Sequence, residues 1–445
     1  MAHQELERKI SIGSLLQFAF PSIIMMIVMS LYTIIDGIFV SRLVGTAALS
    51  AVNIAYPLLS FVIALGTMFG TGVSAVVSIK MGEGRYKEAR ENISFITLVA
   101  VLTGCVIAVV SFLFLEDFIY LMGADDSIYQ LCYDYLFPLL FFQPANILQL
   151  EFQSLFVANG KPYIGLGVTV AGGVANMVLD YVFIYTFDMG IAGAAIATGI
   201  GCSIPALYAL VYFLFNRKVN LYFVRPKADW RVLFKTMTNG SSEMVTNLSA
   251  CITTFLFNII LMRIVGQDGV AAISILLYID FMLISVSYGY SMGIAPLISY
   301  NYGKKDIEKL HKLYRISLWF CVGVGIFMTS GTLLSSKGLA LVFADRGSAV
   351  YNLTVSGLKI YAFGYLFKGF NIFTSAMFTA YGDGRISATL SFLRTLVFLV
   401  VLLLALPLFM GVEGVWFAPV LAEILAIVLA LYFTVRKKTV YYYLP

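Results

Sequence analysis

Long apolar segments separated by short polar gaps run along the chain from one end to the other. Each has about twenty residues or more, enough to cross a hydrocarbon core of roughly 30 Å as a helix. The runs are continuous, whereas the strands of a membrane barrel alternate apolar and polar residues. They predict an all-α membrane protein with twelve transmembrane helices, at residues 12–40, 48–79, 92–115, 127–157, 163–186, 191–215, 236–262, 270–299, 314–336, 349–380, 387–409 and 413–435.

The second half of the chain repeats the first at one constant shift, which superposes Gly82 on Gly303. Six glycines coincide at this shift, among them Gly104 with Gly325. Each unit holds six spans, an even number, so both units enter the membrane from the same side as a parallel repeat. We expect an N-terminal lobe at 1–215, a cytoplasmic connector at 216–235 and a C-terminal lobe at 236–445, around a central cleft.

The distribution of basic residues indicates how the protein is oriented in the membrane. Only 12% of the residues are charged, about half the share of a soluble domain. Of 29 Lys and Arg, 22 lie at the N-terminus, in the even-numbered connections and at the C-terminus. Since basic residues gather on the cytoplasmic side, both termini are expected there. The net positive charge then reflects topology in a lipid bilayer, and no nucleic-acid partner is expected.

Charged residues inside the spans are the main candidates for function, because each costs at least about 2.5–3.5 kcal/mol near the bilayer centre. The candidates are Asp36, Asp180, Glu243, Asp280, Lys359, Lys368, Arg394 and Glu423.

Two of these acids, Asp36 and Asp180, lie late in spans one and five and therefore at a similar depth. Neutral hydrogen-bonding residues accompany them at that depth or one helical turn away, namely Tyr32, Tyr135, Asn176 and Thr198. Two carboxylates without a cationic partner cannot both ionise at low cost, so the set should hold a proton or a small cation. Oxygen ligands also suit sodium. The alternative is that these groups only satisfy each other between helices.

The second lobe lacks this set. Its equivalent positions are Phe257, Val397, Val401 and Pro419. It has its own acids, Glu243 and Asp280, which are candidates for binding a cationic substrate in the cleft. Methionine and phenylalanine beside them would supply an adaptable apolar wall, namely Met244, Phe281 and Met282. The alternative is that basic residues of the same lobe neutralise the acids as structural ion pairs.

Prolines fall inside two spans, because Pro21 lies in span one and Pro138 and Pro144 lie in span four. Proline removes a helical hydrogen bond, so these residues are expected to interrupt their helices, either as a flexible bend or as a static kink. The five cysteines stand singly, and no Gly-x-x-x-x-Gly-Lys-Ser/Thr motif occurs. We expect no cofactor, and energy from an ion gradient.

Together these features resemble the multidrug and toxic compound extrusion (MATE) family over essentially the whole chain. The resemblance rests on the two parallel six-span lobes and on the residues Pro21, Asp36, Asn176, Asp180, Thr198 and the loop Lys80–Gly84. It implies a monomeric antiporter of a prokaryotic inner or plasma membrane that exports lipophilic organic cations in exchange for protons or sodium. It also implies ion coupling at Asp36, Asn176, Asp180 and Thr198, with Tyr32 and Tyr135, a helix bend at Pro21 and a substrate role for Glu243.

Other classes fit less well. A lipid-linked precursor flippase of the same superfamily should line its cleft with arginine and lysine, whereas the cleft candidates here are mostly acidic. An intramembrane aspartyl protease needs a Gly-x-Gly-Asp element, and the nearest string, Ala380–Asp383, lacks the first glycine. We therefore expect a transporter and not an enzyme.

Overall fold

The structure, a computed structural model, describes residues 6–7 and 9–441, and in this part of the chain its secondary structure is helical, without strands. The outermost residues of both expected lobes, including both termini, lie outside the described residues. Spans one to six are formed by Ile12–Phe39, Thr46–Gly82, Tyr86–Leu113, Tyr129–Leu140 with Gln143–Ala158, Pro162–Asp180, and Gly190–Phe215. Spans seven to twelve are formed by Trp230–Ile264, Gln267–Lys304, Ile307–Leu341, Ala349–Tyr361 with Tyr365–Ala380, Gly384–Phe392 with Leu399–Met410, and Val412–Tyr441.

Short elements of other helical types interrupt or extend this framework. A seven-residue helix, Leu115–Leu121, precedes span four, and a 3-10 turn, Ala362–Gly364, divides span ten. Three π-helical segments occur in spans one, five and eleven: Val40–Val44, Tyr181–Thr186 and Leu393–Phe398. Such segments are frequent at functional sites, and all three lie beside residues considered below.

The twelve predicted spans are confirmed, with two of them broken. Ten uninterrupted segments in the described chain are long and apolar enough to cross a membrane. Span four breaks at Phe141 and Phe142, between the prolines expected to interrupt it, and span ten breaks at Ala362–Gly364. The shift that superposes Gly82 on Gly303 also superposes Phe141 on Ala362, so the two breaks begin at equivalent positions of the repeat.

The helix Ile12–Phe39 continues through Pro21 without a break, and the bend expected at this residue stays a prediction. A proline costs a helix one hydrogen bond and a local clash, but the buried Pro21 is held within a helix of 28 residues. The irregular connector is shorter than the expected 216–235, because the helix of span seven already begins at Trp230. Asp229 caps this helix by accepting hydrogen bonds from the backbone N–H groups of Arg231 and Val232, both at 3.1 Å.

The two lobes pack closely against each other at the end of the bundle that carries Glu7. A Cβ on Gly82 of span two would overlap the carbonyl of Tyr300, and one on Gly303 of span eight would overlap the carbonyl of Ile79. Only glycine allows backbones this close. Nearby, Lys304 pairs with Glu7 at 2.7 Å. The inter-lobe contact continues to mid-depth, where the Asn247 amide donates a hydrogen bond to the hydroxyl of Thr67 at 3.2 Å.

A Gly240→Ala variant should show how much this close approach contributes to stability. A Cβ at Gly240 would overlap the backbone carbonyl of Met68 in the facing span, and such overpacking costs about 1–3 kcal/mol. We expect a lower melting temperature of the purified protein in detergent. Gly331→Ala is the matched control, because a Cβ there meets nothing within 4 Å. An unchanged melting temperature in both variants would contradict the tight inter-lobe contact.

Candidate functional site

Asp36 and Asp180 lie next to each other inside the N-terminal lobe. Asp36 is near the end of the helix in span one, and Asp180 is the last residue of the helix in span five, so a π-helical segment follows each acid. Their carboxyl groups are near enough to interact directly. Asp180 is completely buried and Asp36 is half-buried. The structure therefore brings together the two acids that the sequence placed at one depth.

The oxygens of this pair lack protein donors. Both carboxyl oxygens of Asp180 and one of Asp36 are buried without a hydrogen-bond partner in the described structure. A buried acceptor without a partner costs about 1–3 kcal/mol, and more when it is charged. Polar groups that served only to join helices would satisfy one another, so this geometry favours a site that binds a proton or a cation.

Asn176 and Thr198 face each other beside the pair. The Asn176 amide lies 3.5 Å from the Thr198 hydroxyl, and Asn176 is buried. Their contact depends on close packing of spans five and six, because a Cβ on Gly201 would lie 2.8 Å from the Cβ of Asn176. A larger residue at position 201 would separate the two side chains.

Two tyrosines complete the expected set, and two further residues were not anticipated. Tyr135 is buried near both acids, and Tyr32 lies near Asp36. Gln149 of span four lies close to Tyr32 and Cys202. Cys202 follows Thr198 by four residues, so the sequence alone predicts that the two lie on the same helix face.

Glu151 is another buried acid that the sequence analysis missed, although it lies within predicted span four. It is completely inaccessible and accepts a hydrogen bond from the hydroxyl of Thr97 at 2.7 Å, while its second oxygen has no partner in the described structure. Two positions separate Glu151 from Gln149 along the helix, so the two residues point to different faces. Glu151 contacts spans two and three.

Two acids of the C-terminal lobe, Asp280 and Glu423, have close partners. Asp280 forms an ion pair with Lys368 at 2.6 Å, and the amide of Asn371 donates to Glu423 at 2.7 Å. The ion-pair alternative therefore holds for Asp280. Glu243 is half-buried in span seven, with Arg394 as its charged neighbour.

The apolar residues proposed for the cleft wall occupy different environments. Met244 is half-buried and packs on the main hydrophobic core, whereas Phe281 and Met282 are exposed on span eight. None of the three lines the C-lobe cavity described below. Lys359 is exposed and Arg394 is buried.

The donor set in the N-terminal lobe fits a proton or a hard cation. Among residues 6–7 and 9–441 no cluster of three or more His, Cys, Asp and Glu side chains is arranged to hold a metal. A sodium ion at this site would rely on the two carboxylates together with the amide and hydroxyl oxygens of Asn176 and Thr198. Unpartnered carboxylate oxygens beside neutral oxygens suit such an ion.

The fold and this buried acidic pair define a helical membrane carrier of two like-oriented six-span lobes. The chain belongs to the MatE family, whose model matches residues 21–182 and 244–404, one segment in each lobe. The family assignment is thereby confirmed, and the protein is a membrane transporter, not an enzyme.

Individual relatives are similar over nearly the whole chain. The multidrug export protein MepA of Staphylococcus aureus (strain MRSA252) is 24% identical over 431 residues, covering 94% of this chain and 92% of MepA. MepA of Staphylococcus saprophyticus is also 24% identical, covering 92% and 90%. The crystal structure of MATE in complex with MaL6 superposes with a TM-score of 0.92 at 24% identity and covers 98% of each chain.

Proposed function

We propose that this protein is a secondary antiporter that exports lipophilic organic cations and drugs in exchange for protons or sodium. The observation that carries the proposal is the adjacent Asp36 and Asp180 pair in one lobe, with buried carboxyl oxygens that have no partner in the described structure. The curated relatives MepA are named multidrug export proteins, which supports the direction and the breadth of the transport.

Two adjacent carboxyl groups favour a proton as the coupling ion. Oxygens of two ionised carboxylates repel each other at hydrogen-bonding distance, whereas one shared proton converts the contact into a hydrogen bond. Asn176, Thr198, Tyr32 and Tyr135 surround the pair with neutral donors and acceptors. None of them donates to the Asp180 oxygens in the described structure, so those oxygens stay available to a proton or a cation.

The lobe contacts support an outward-facing state for this structure. The lobes pack closely at the end that carries Glu7, and the basic residues of the connections favour a cytoplasmic position for that end. Both termini would then be cytoplasmic, in a prokaryotic inner or plasma membrane. Protonation of the Asp36 and Asp180 pair from outside would precede rearrangement of the lobes, and release inward would follow it.

Transport in proteoliposomes tests the proposal and separates the two ions. The purified protein is reconstituted, and ethidium movement is followed under an imposed pH gradient or an imposed sodium gradient. We expect the pH gradient to drive ethidium movement and the sodium gradient at equal pH to do nothing. Movement driven by sodium alone would assign sodium as the coupling ion. Absence of movement under both gradients would contradict the proposed antiport.

A further inference from the structure

The C-terminal lobe contains a cavity of about 170 Å³ between spans seven, eight, ten, eleven and twelve. Its wall includes the charged residues Asp280, Lys368, Arg394 and Glu423, all largely buried. An arginine inside a membrane span is costly, and Arg394 is only 7% exposed. A cation kept in such a place needs either a partner in the protein or a ligand.

This cavity occupies the place that corresponds, by the repeat, to the acidic pair of the N-terminal lobe. The repeat superposes Asp36 on Phe257 and Tyr32 on Thr253, and both of these C-lobe residues line the cavity. Arg394 takes the place of Gly173, whose Cβ would lie 3.2 Å from the ring of Tyr32. In the C-terminal lobe the smaller Thr253 leaves room for the Arg394 side chain. In the N-terminal lobe Tyr32 leaves no room for a side chain at Gly173.

The other charges of the cavity have close partners, and Arg394 has no carboxylate at contact distance. Lys368 is neutralised by Asp280 at 2.6 Å, and Glu423 accepts from Asn371 at 2.7 Å. Arg394 forms no ion pair within 4.0 Å in the described chain, and its neighbours are the Tyr288 hydroxyl and the more distant Glu423 and Glu243. Its guanidinium therefore retains donors for a planar anion.

The local backbone supports a binding role. Arg394 is the second residue of the π-helical segment Leu393–Phe398, and π-helical turns are frequent at functional sites. A guanidinium matches a carboxylate through two parallel hydrogen bonds. Glu243 and Glu423, further away, would attract a positive group on the same ligand.

We propose that this cavity binds the carboxylate of an amphoteric substrate, with Arg394 as the main donor. The inference rests on the proposed export function and names a substrate class for it, molecules that carry a carboxylate together with a cationic amine. A drug-sized ligand fills a pocket of roughly 300 Å³ or more. The cavity therefore takes the ring that bears the carboxylate, and the remainder of the molecule extends towards the cleft between the lobes.

A matched pair of dyes tests this assignment. Rhodamine 110 carries a free carboxylate and a cationic ring system, and rhodamine 123 is its methyl ester, so the two differ only in the anionic group. Binding of each dye to the purified protein is measured by fluorescence anisotropy, with the wild type and Arg394→Gln. We expect Arg394→Gln to weaken rhodamine 110 binding about tenfold or more and to leave rhodamine 123 binding nearly unchanged.

Further arms separate the possible failures. Arg394→Lys keeps the positive charge but lacks the planar guanidinium, so it should also weaken rhodamine 110 binding selectively. This variant tests the assignment if Arg394→Gln does not fold. Fluorescein, an anion without the amine, should bind weakly because of Glu243 and Glu423, and binding as tight as that of rhodamine 110 would overturn the amphoteric class. Equal losses for both rhodamines, or none, would make Arg394 a structural charge. Wild-type transport of rhodamine 123 under a pH gradient tests the export function independently.

Discussion

Replacing Asp180 with asparagine is expected to reduce gradient-driven ethidium transport to the level of protein-free vesicles. Asparagine keeps the shape of the side chain but cannot take up and release a proton, and it removes half of the charge available to a cation. Asp180 is completely buried and its carboxyl oxygens have no protein donor in the described structure, so no neighbouring acid except Asp36 can replace it. Transport is measured in proteoliposomes at equal protein density.

Controls separate loss of coupling from loss of structure. Asp36→Asn should fail in the same way, because the two carboxyl groups act as one unit. Glu308→Gln is the matched acid-to-amide change at the surface, where the Glu308 side chain is 79% exposed and pairs with Lys312, and it should transport normally. All three variants should elute as the wild type does on size exclusion. Normal transport by both aspartate variants would overturn the assignment of the site.

Replacing Lys368 with methionine is expected to destabilise the C-terminal lobe strongly. Lys368 pairs with Asp280 at 2.6 Å, and both side chains are nearly buried, at 12% and 11% exposure. Removing one partner of a buried pair leaves an uncompensated charge and costs about 3–5 kcal/mol. The measurement is thermal unfolding of the purified protein in detergent.

The double variant Lys368→Met with Asp280→Asn is the decisive control. It removes both charges, so much of the lost stability should return, and the coupling between the two sites can be taken from the complete cycle. Lys359→Met should have little effect, because Lys359 is exposed. If Lys368→Met and Lys359→Met unfold at the same temperature, the Asp280 pair is not a structural contact. Asp280 would then remain available to a substrate.

Much of the architecture followed from the sequence because lipid restricts the choices. Backbone polar groups have no water to bind in a bilayer, so each long apolar run must be helical. The internal repeat further predicted like-oriented halves, and the breaks in spans four and ten begin at positions that the repeat superposes, Phe141 and Ala362. The prolines were less informative, because Pro138 and Pro144 flank a break whereas Pro21 lies within an unbroken helix.

The N-lobe site was also largely predictable, since depth along a known topology brings Asp36 and Asp180 to one level. Gln149 and Cys202 were missed because a neutral side chain costs less in a membrane than a charged one and gives a weaker signal in the sequence. Glu151 carries the same free-energy cost in the membrane as the other acids, and it was overlooked within span four. In the C-terminal lobe the sequence left two possibilities for Asp280, and the 2.6 Å contact with Lys368 supports the ion pair.

The sequence by itself determined the number of spans, their lobes and the depth of each charged residue, because these depend only on position along a helix that must cross the bilayer. The tertiary structure decided which charges meet. Pairing between helices depends on how each helix is rotated and how closely it approaches its neighbours, and here small residues such as Gly201, Gly240 and Gly303 set that approach. For that reason only the structure separated the acids with partners, Asp280 and Glu423, from the unsatisfied pair in the first lobe, and revealed the cavity beside Arg394.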